Sequence, residues 1–349
     1  MSAETTAPVR TGLVGFGEAG EVFHAPLIDA TDGLELSVVM TGDADRAGRV
    51  ARDYPRARVV PSMDAAWDEI DLLVVASPSA THGEWAAEAT RRGVAAVIDK
   101  PLAMTTREAE KALVPDARLT VFQNRRWDAD FLTLRALIAE EALGRIFRLE
   151  SRAELFAPEI GAGWREASEG GGILIDFGAH LVDQAMLLFG PPLTVYAELG
   201  RRRPGAKVED EVFLSLGHAY DVVTRITMSL AAPAVGHRFQ LNGTGGVFTV
   251  DGTDPQRDQL ADGVRPGADR YGIGEDGTIV TAEGHRAQPL SRGSYDDFYA
   301  GVVAWLRDGS TPPVDPRSSV AVLGVLDAAR QSAAEGQVVA LAGDGPGSG

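Results

Sequence analysis

Cysteine is absent from the 349 residues, which excludes disulfides and thiolate chemistry and leaves the redox compartment open. Lysine is nearly absent: Lys100, Lys111 and Lys207 stand against thirty arginines. Positive charge is in short supply overall, and the net charge is −17. Nucleic acid is therefore not an expected partner, because phosphate binding needs concentrated positive charge. The densest basic cluster, Arg201-Arg202-Arg203, is short and reads as a solvated loop. No apolar run approaches the length that spans a bilayer, and the first residues, MSAETTAPVRTG, lack the apolar stretch of a secretion signal. These absences point away from a membrane and toward a cytoplasmic protein.

What is present suits an ordinary globular chain of two domains, with 44% hydrophobic and 24% charged residues. The first 125 residues alternate strand-like and helix-like stretches. RTGLVGFG, LELSVVM, DLLVVASP, VAAVID and LTVFQN are apolar runs of strand length. Between them lie EAGEVFHAPLIDA, a helix interrupted near Pro26, then DADRAGRVARDY, HGEWAAEATRRG and TREAEKALVPDA. Such alternation predicts a doubly wound parallel sheet, a Rossmann-type α/β domain over residues 1–125. Residues 126–349 read differently. DADFLTLRALIAEEALG and GGGILIDFGAHLVDQAMLLFG are helical. RIFRLESRAELF, TVYAEL, DEVFLSL, VVTRITMSL, HRFQLNG and VFTVDG are strands, and no helix intervenes after residue 193 until they end. The spacing predicts an α/β domain with an open, mostly antiparallel sheet, closed by the helices SYDDFYAGVVAWLRDG and SSVAVLGVLDAARQSAA. The tail, residues 342–349, is expected to be disordered.

Gly15-Phe16-Gly17-Glu18-Ala19-Gly20 fits G-x-G-x-x-G, but with 40 glycines chance alone gives about half a match. A second match, Gly272 to Gly277, lies in polar, turn-rich sequence and reads as a loop. Only the first follows an apolar strand and opens a helix, the context that sets glycines under a dinucleotide's pyrophosphate. The phosphate state is read at the end of the second strand. An acidic residue there holds the ribose hydroxyls of NAD; Thr41 takes that place and repels no 2′-phosphate. Arg46 lies within reach of one. NADP is therefore expected ahead of NAD, the alternative being that Asp43 holds the ribose and Arg46 is plain helix surface.

VIDKP ends a strand on Asp99, Lys100 and Pro101. Ligands of a doubly wound sheet gather beyond the carboxyl ends of its strands, where Lys100 stands. The proline restricts the residue before it to extended backbone and so fixes how the lysine leaves the strand. A surface lysine at an ordinary strand-to-helix turn would look the same. In the later helix, Asp176, His180 and Asp183 are spaced four and three apart and share one face. A carboxylate beside an imidazole orients the ring and stabilises its protonated form, which suits proton transfer near neutral pH. Burying all three without a role would be costly. A metal site is not expected, since no second histidine lies at ligand spacing and hydride transfer to nicotinamide needs no metal. The three glycines just before, 170 to 172, would allow close approach to a ligand.

Taken together, Gly15–Gly20, SPSATH (77–82), DKP (99–101) and GGGILIDFGAHLVD (170–183) resemble the Gfo/Idh/MocA family of NAD(P)-dependent sugar oxidoreductases, in order and over nearly the whole chain. FHAPLI (23–28), NRRWDADFLTL (124–134) and TDPQ (253–256) are similar to a subgroup of NADP-dependent scyllo-inositol dehydrogenases. Two positions depart from the pattern: Asp99 replaces the usual glutamate before Lys-Pro, and Gln123 stands where members of the subgroup often carry histidine. The resemblance implies catalytic roles for Lys100, Asp176 and His180. It adds Ser77, Pro78, His82, Lys100, Trp164 and Arg165 to the cofactor set of Gly15–Gly20, Thr41 and Arg46. Arg126, Trp127, Trp164 and Asp183 become candidates for substrate contact, with packing the alternative for both tryptophans. It further implies a polyol or sugar substrate and a homodimer or homotetramer formed through the C-terminal sheet. The rival expectations are reduction of another keto-sugar or dihydrodiol-type substrate, and a non-catalytic dinucleotide sensor.

Overall fold

The computed structural model describes residues 7–161, 166 and 171–341. Trp164, Arg165 and the tail 342–349 lie outside the described residues. The chain divides into two compact units. The first comprises Met1–Trp127, Pro255–Gly272 and Ser294–Ser319, and the second comprises Asp128–Asp254, Ile273–Gly293 and Val320–Gly349. Two stretches far down the chain thus belong with the N-terminal block.

In the first unit, β1 (Val9–Val14), β2 (Leu34–Met40), β3 (Arg58–Val60), β4 (Leu72–Val75), β5 (Ala95–Asp99) and β6 (Leu119–Phe122) form one parallel sheet. Their order is β3-β2-β1-β4-β5-β6, so the direction of winding reverses between β1 and β4. Continuous apolar strands suit a sheet covered on both faces, and Leu72, Leu73, Val74 and Val75 are all fully buried. The connections carry α1 (Ala25–Ala30), α2 (Ala44–Asp53), α3 (His82–Arg91) and α4 (Thr106–Ala112). Pro26 does not interrupt its helix. It sits in the first turn of α1, and a π-helical turn at Ala19–His24 precedes it. There the Ala25 amide donates to the Gly20 carbonyl, five residues back. A proline has no amide to donate and its ring crowds the carbonyl four residues earlier, so the wider turn lets the helix continue.

In the second unit, α5 (Ala129–Ala139) leads into β7 (Ile146–Glu154), and α6 (Ile173–Asp176) and α7 (Gly178–Phe189) follow. The sheet is completed by β8 (Thr194–Gly200), β9 (Glu211–Gly217), β10 (Val223–Ser229), β11 (Phe239–Gly243), β12 (Val247–Val250), β13 (Gly277–Thr281), β14 (Gly284–Gln288) and β15 (Val339–Ala340). The order is β14-β13-β12-β11-β7-β10-β9-β8-β15, antiparallel throughout except for the parallel pair β7–β10. The core forms where Phe131, Leu134 and Leu137 of α5 meet Leu149, Phe239, Leu241 and Phe248 of the sheet.

The remaining helices are α8 (Gln256–Ala261) and α9 (Tyr295–Asp308) of the first unit, and α10 (Pro316–Glu335), which runs from the first unit into the second. No described helix is long and apolar enough to cross a membrane.

The arginine cluster is not a solvated loop at its third member. Arg203 is buried, its guanidinium held by Asp210 at 2.9 Å and Glu166 at 2.9 Å. A buried cation needs such partners, and three consecutive arginines in a sequence do not reveal which one has them.

The β9–β10 turn carries strain. Tyr220 and Asp221 both have positive φ, 58° and 59°, the backbone of a type I′ turn that asparagine and glycine enter readily. Tyr220 is 91% exposed, so its ring packs on little that offsets the strain. Replacing the pair by Asn-Gly should raise stability by about 1 kcal/mol. The denaturant midpoint checks this; an unchanged or lowered midpoint contradicts it.

Candidate active site

The first unit gathers its predicted residues at the carboxyl ends of β1, β2, β4 and β5. Gly15 follows β1 with φ +93°, and its amide donates to the Met40 carbonyl at 3.1 Å. A Cβ on Gly15 would stand 2.6 Å from the Ala76 carbonyl oxygen, beside Ser77. The glycine loop and the loop after β4 are therefore packed together at the reversal of strand order. A Cβ on Gly20 would run into the Gly15 carbonyl oxygen, whereas one on Gly17 would meet nothing within 4 Å. Two glycines are needed by the fold, and the middle one leaves space open. That is the cradle a dinucleotide's pyrophosphate requires, ahead of a helical run that starts at Ala19. Glu18, inside the loop, receives Arg257 of α8 at 2.6 Å.

At the end of β2, the Thr41 amide donates to Val60 and its hydroxyl accepts the Asp43 amide at 3.3 Å. Asp43 caps α2: one carboxylate oxygen accepts the Arg46 amide at 2.9 Å, and this hydrogen bond holds its carboxyl below the usual range. Arg46 itself is exposed in the first turn of α2. Asp43, the acidic alternative after β2, is thus engaged as a helix cap, and Arg46 keeps its guanidinium on the surface.

Lys100 stands one residue beyond β5, half-buried, with its amide on the Asp99 carboxylate at 2.8 Å. Burial alone would push the Asp99 carboxyl up. The hydrogen bond and charge of His24, then the charges of His82 and Lys100, outweigh burial and hold it below the usual range. His24 is fully buried, its Nδ1 is 2.6 Å from the Tyr299 hydroxyl, and its other ring nitrogen is 4.0 Å from Asp99. His24 and Tyr299 were missed as site neighbours because they lie 275 residues apart.

His82 opens α3 with both ring nitrogens against backbone carbonyls, so it shapes the loop rather than presenting a donor to the cofactor. Ser77 and Pro78 precede it, and the Ser77 hydroxyl is 2.7 Å from that of Thr81. Arg126 and Trp127 lie in the short 3-10 turn Asn124–Trp127. Arg126 donates to the Ser318 hydroxyl at 2.9 Å, and the Trp127 ring stands edge-on to Phe298 at 5.6 Å. Trp127 is half-buried, so one side of it packs and part of it stays exposed.

In the second unit, Asp176 closes α6 and His180 and Asp183 lie on α7. The expected single helix is tightened at Phe177, whose carbonyl accepts the His180 amide at 3.0 Å, three residues on. Phe177 keeps right-handed helical dihedrals, so the four-and-three spacing survives the junction. Asp176, His180 and Asp183 are 3%, 8% and 3% exposed. Lys100 thus belongs to one unit and the carboxylate–imidazole set to the other.

The glycine before this helix serves a neighbour rather than a ligand. Gly172 has φ +97°, and a Cβ there would collide with the Glu209 carboxylate, which accepts the Leu174 amide at 3.3 Å. Glu209 was missed in the sequence, where it stands just before the strand DEVFLSL with nothing to mark its burial. Burial pushes its carboxyl up, against the backbone hydrogen bonds and the charge of Arg330. A raised folded-state value means that the associated stability is full below the unfolded value, about 4.3, and is lost as pH rises through the folded one. Glu209→Gln should therefore match the native chain near pH 4 and gain relative stability toward pH 8. Urea midpoints at both ends test this; a gap that is constant or widens toward acid contradicts it.

A parallel sheet with this strand order and this glycine turn defines a dinucleotide-binding Rossmann domain. Residues 9–118 match the oxidoreductase family model with an NAD-binding Rossmann fold, and residues 131–249 match the GFO/IDH/MocA C-terminal domain. The chain belongs to the Gfo/Idh/MocA oxidoreductase family. It is 34% identical to the uncharacterized oxidoreductase YdgJ of Escherichia coli K12, over 96% of this chain and 99% of that one. It is 33% identical to the scyllo-inositol 2-dehydrogenase (NADP(+)) IolW of Bacillus subtilis 168, over 95% and 96% of the two chains. The structure of the YPO2259 oxidoreductase from Yersinia pestis superposes with a TM-score of 0.91 at 33% identity, covering 98% of this chain and 100% of that one.

Proposed function

We propose that this oxidoreductase interconverts a secondary alcohol and a ketone on a cyclic polyol or sugar, with NADP preferred over NAD. The observation that carries the reading is Lys100, rooted on Asp99 at the carboxyl edge of a dinucleotide-binding sheet. The similarity to an inositol dehydrogenase supports the substrate class. Bound NADP+ supplies the hydride acceptor at nicotinamide C4. His180 takes the hydroxyl proton, and Asp176 orients the ring and stabilises it once charged. Lys100 hydrogen-bonds the reacting oxygen and offsets the negative charge that develops on it. Arg126 and Asp183 remain candidates for holding the neighbouring hydroxyls.

The test is a panel of inositols and aldoses with each cofactor, followed as NADPH or NADH formation. Turnover of a polyol with a preference for NADP supports the reading. Tight cofactor binding with no turnover favours a dinucleotide sensor, and activity confined to keto-sugars or dihydrodiols favours the reductase. For the cofactor, Thr41→Asp should shift preference toward NAD by at least about tenfold, through repulsion of the 2′-phosphate. An unchanged ratio of kcat/KM for the two cofactors counts against it.

We further propose that copies of the chain pair through the nine-stranded sheet as a homodimer or homotetramer. Along β9 buried residues alternate with half-exposed ones, and Phe213 is among the half-exposed.

A further inference from the structure

His82 is 1% exposed, with Nδ1 2.7 Å from the Pro101 carbonyl oxygen and Nε2 2.9 Å from that of Ser77. Carbonyl oxygens only accept, so both contacts are hydrogen bonds together only with a proton on each ring nitrogen. His218, also buried and bridging two partners, is different. Its second nitrogen faces the Thr224 hydroxyl, which can give or take a proton, and burial pushes that ring's value down.

The ring of His82 ties together two segments that leave neighbouring strands. Ser77 follows β4, and Pro101 follows Lys100 at the end of β5. The Lys100 amide is already on Asp99, so the backbone is pinned by a side chain on each side of the lysine's Cα. Direction at the root matters most for a long, flexible side chain, because each free torsion multiplies an error made there. We propose that His82 is a positioning residue for Lys100, acting as a two-headed donor clamp between Ser77 and Pro101. The catalytic consequence rests on the role proposed for Lys100; the clamp itself does not.

The scarcity of lysine gives a direct readout. The full-length protein labelled with [13Cε]lysine carries three side-chain signals, assigned by Lys100→Arg and Lys111→Arg. Lys111 and Lys207 are exposed, and Lys100 is half-buried. His82→Phe keeps a ring of similar size with no donors. It should move the Lys100 signal toward the other two while leaving those in place. His82→Gln retains one donor and should give an intermediate shift; it also serves if the phenylalanine variant folds poorly. An unmoved Lys100 signal overturns the proposal. In kinetics, His82→Phe should lower kcat about a hundredfold when Lys100 is present. In a Lys100→Ala background it should cost less than about twofold, since its effect passes through the lysine. Equal losses in both backgrounds, or a fall in NADP affinity as large as the fall in kcat, also overturn it. If the native chain turns over no polyol, the proposed function fails, and the lysine signal alone decides the clamp.

Discussion

His180→Ala should lower kcat by about 10² to 10⁴, and Lys100→Ala by about 10² to 10³. On the proposed mechanism the two losses have different origins. Without His180 the hydroxyl proton has no positioned acceptor and must leave to water, so the rate becomes steeply dependent on pH. Without Lys100 the oxygen still loses its proton but carries its developing charge uncompensated. Cofactor affinity should survive the loss of His180, because the glycine turn, Thr41 and Arg46 all lie in the other unit. The double variant should fall well short of the product of the single losses, because groups that act on one reacting oxygen are not independent. Steady-state kinetics with the best polyol of the panel measures all four proteins. A loss below about tenfold in both single variants would sink the assignment.

Gly15→Ala should cost about 2–5 kcal/mol and abolish measurable cofactor binding. Its φ of +93° strains any other residue, and the added carbon would stand 2.6 Å from the Ala76 carbonyl. The atoms it would meet, in Ala76 and Ser77, all belong to backbone, so no side chain can swing aside. Gly17→Ala is the informative contrast. Its added carbon meets no protein atom within 4 Å, so the unliganded protein should melt where the native chain does. Weaker binding of NADP with unchanged stability would locate the pyrophosphate over Gly17. Comparable melting losses in the two variants would contradict the division of labour between these glycines.

Much of the fold was legible because burial leaves a periodic trace. Leu72–Val75 and Ala95–Ile98 are buried on both faces and read as unbroken apolar runs. The five strands β8 to β12 alternate, as a sheet with one covered face must. β3, β13, β14 and β15 went unread, and the last two leave no such trace. β14 is almost wholly exposed, its sequence GHRAQ carries charge rather than pattern, and β15 is two residues long at the opposite edge. Edge strands are commonly kept polar to discourage further pairing, which hides them. Lys100 stood out as a rare lysine at a strand end, and Asp176 and His180 as a carboxylate and an imidazole at helical spacing. The partners that shape their surroundings were not: Glu209 beneath Gly172, and Tyr299 on His24, are joined only by the tertiary fold. Arg203 shows the same limit, because burial of one arginine in three is decided by Asp210 and Glu166.

The first unit borrows Pro255–Gly272 and Ser294–Ser319, and the loan sets a timetable for synthesis. As the chain leaves the ribosome, the six parallel strands emerge early, yet His24 waits 275 residues for the Tyr299 hydroxyl. Thr120 likewise waits 194 residues for Val314. Domains generally fold as units and N-terminal first, but this one is complete only when about nine-tenths of the chain has been made. A fragment ending at Trp127 would carry the glycine turn and Lys100 with part of its aromatic core missing. The nucleotide half of this chain is therefore a poor module to cut out and a late one to mature.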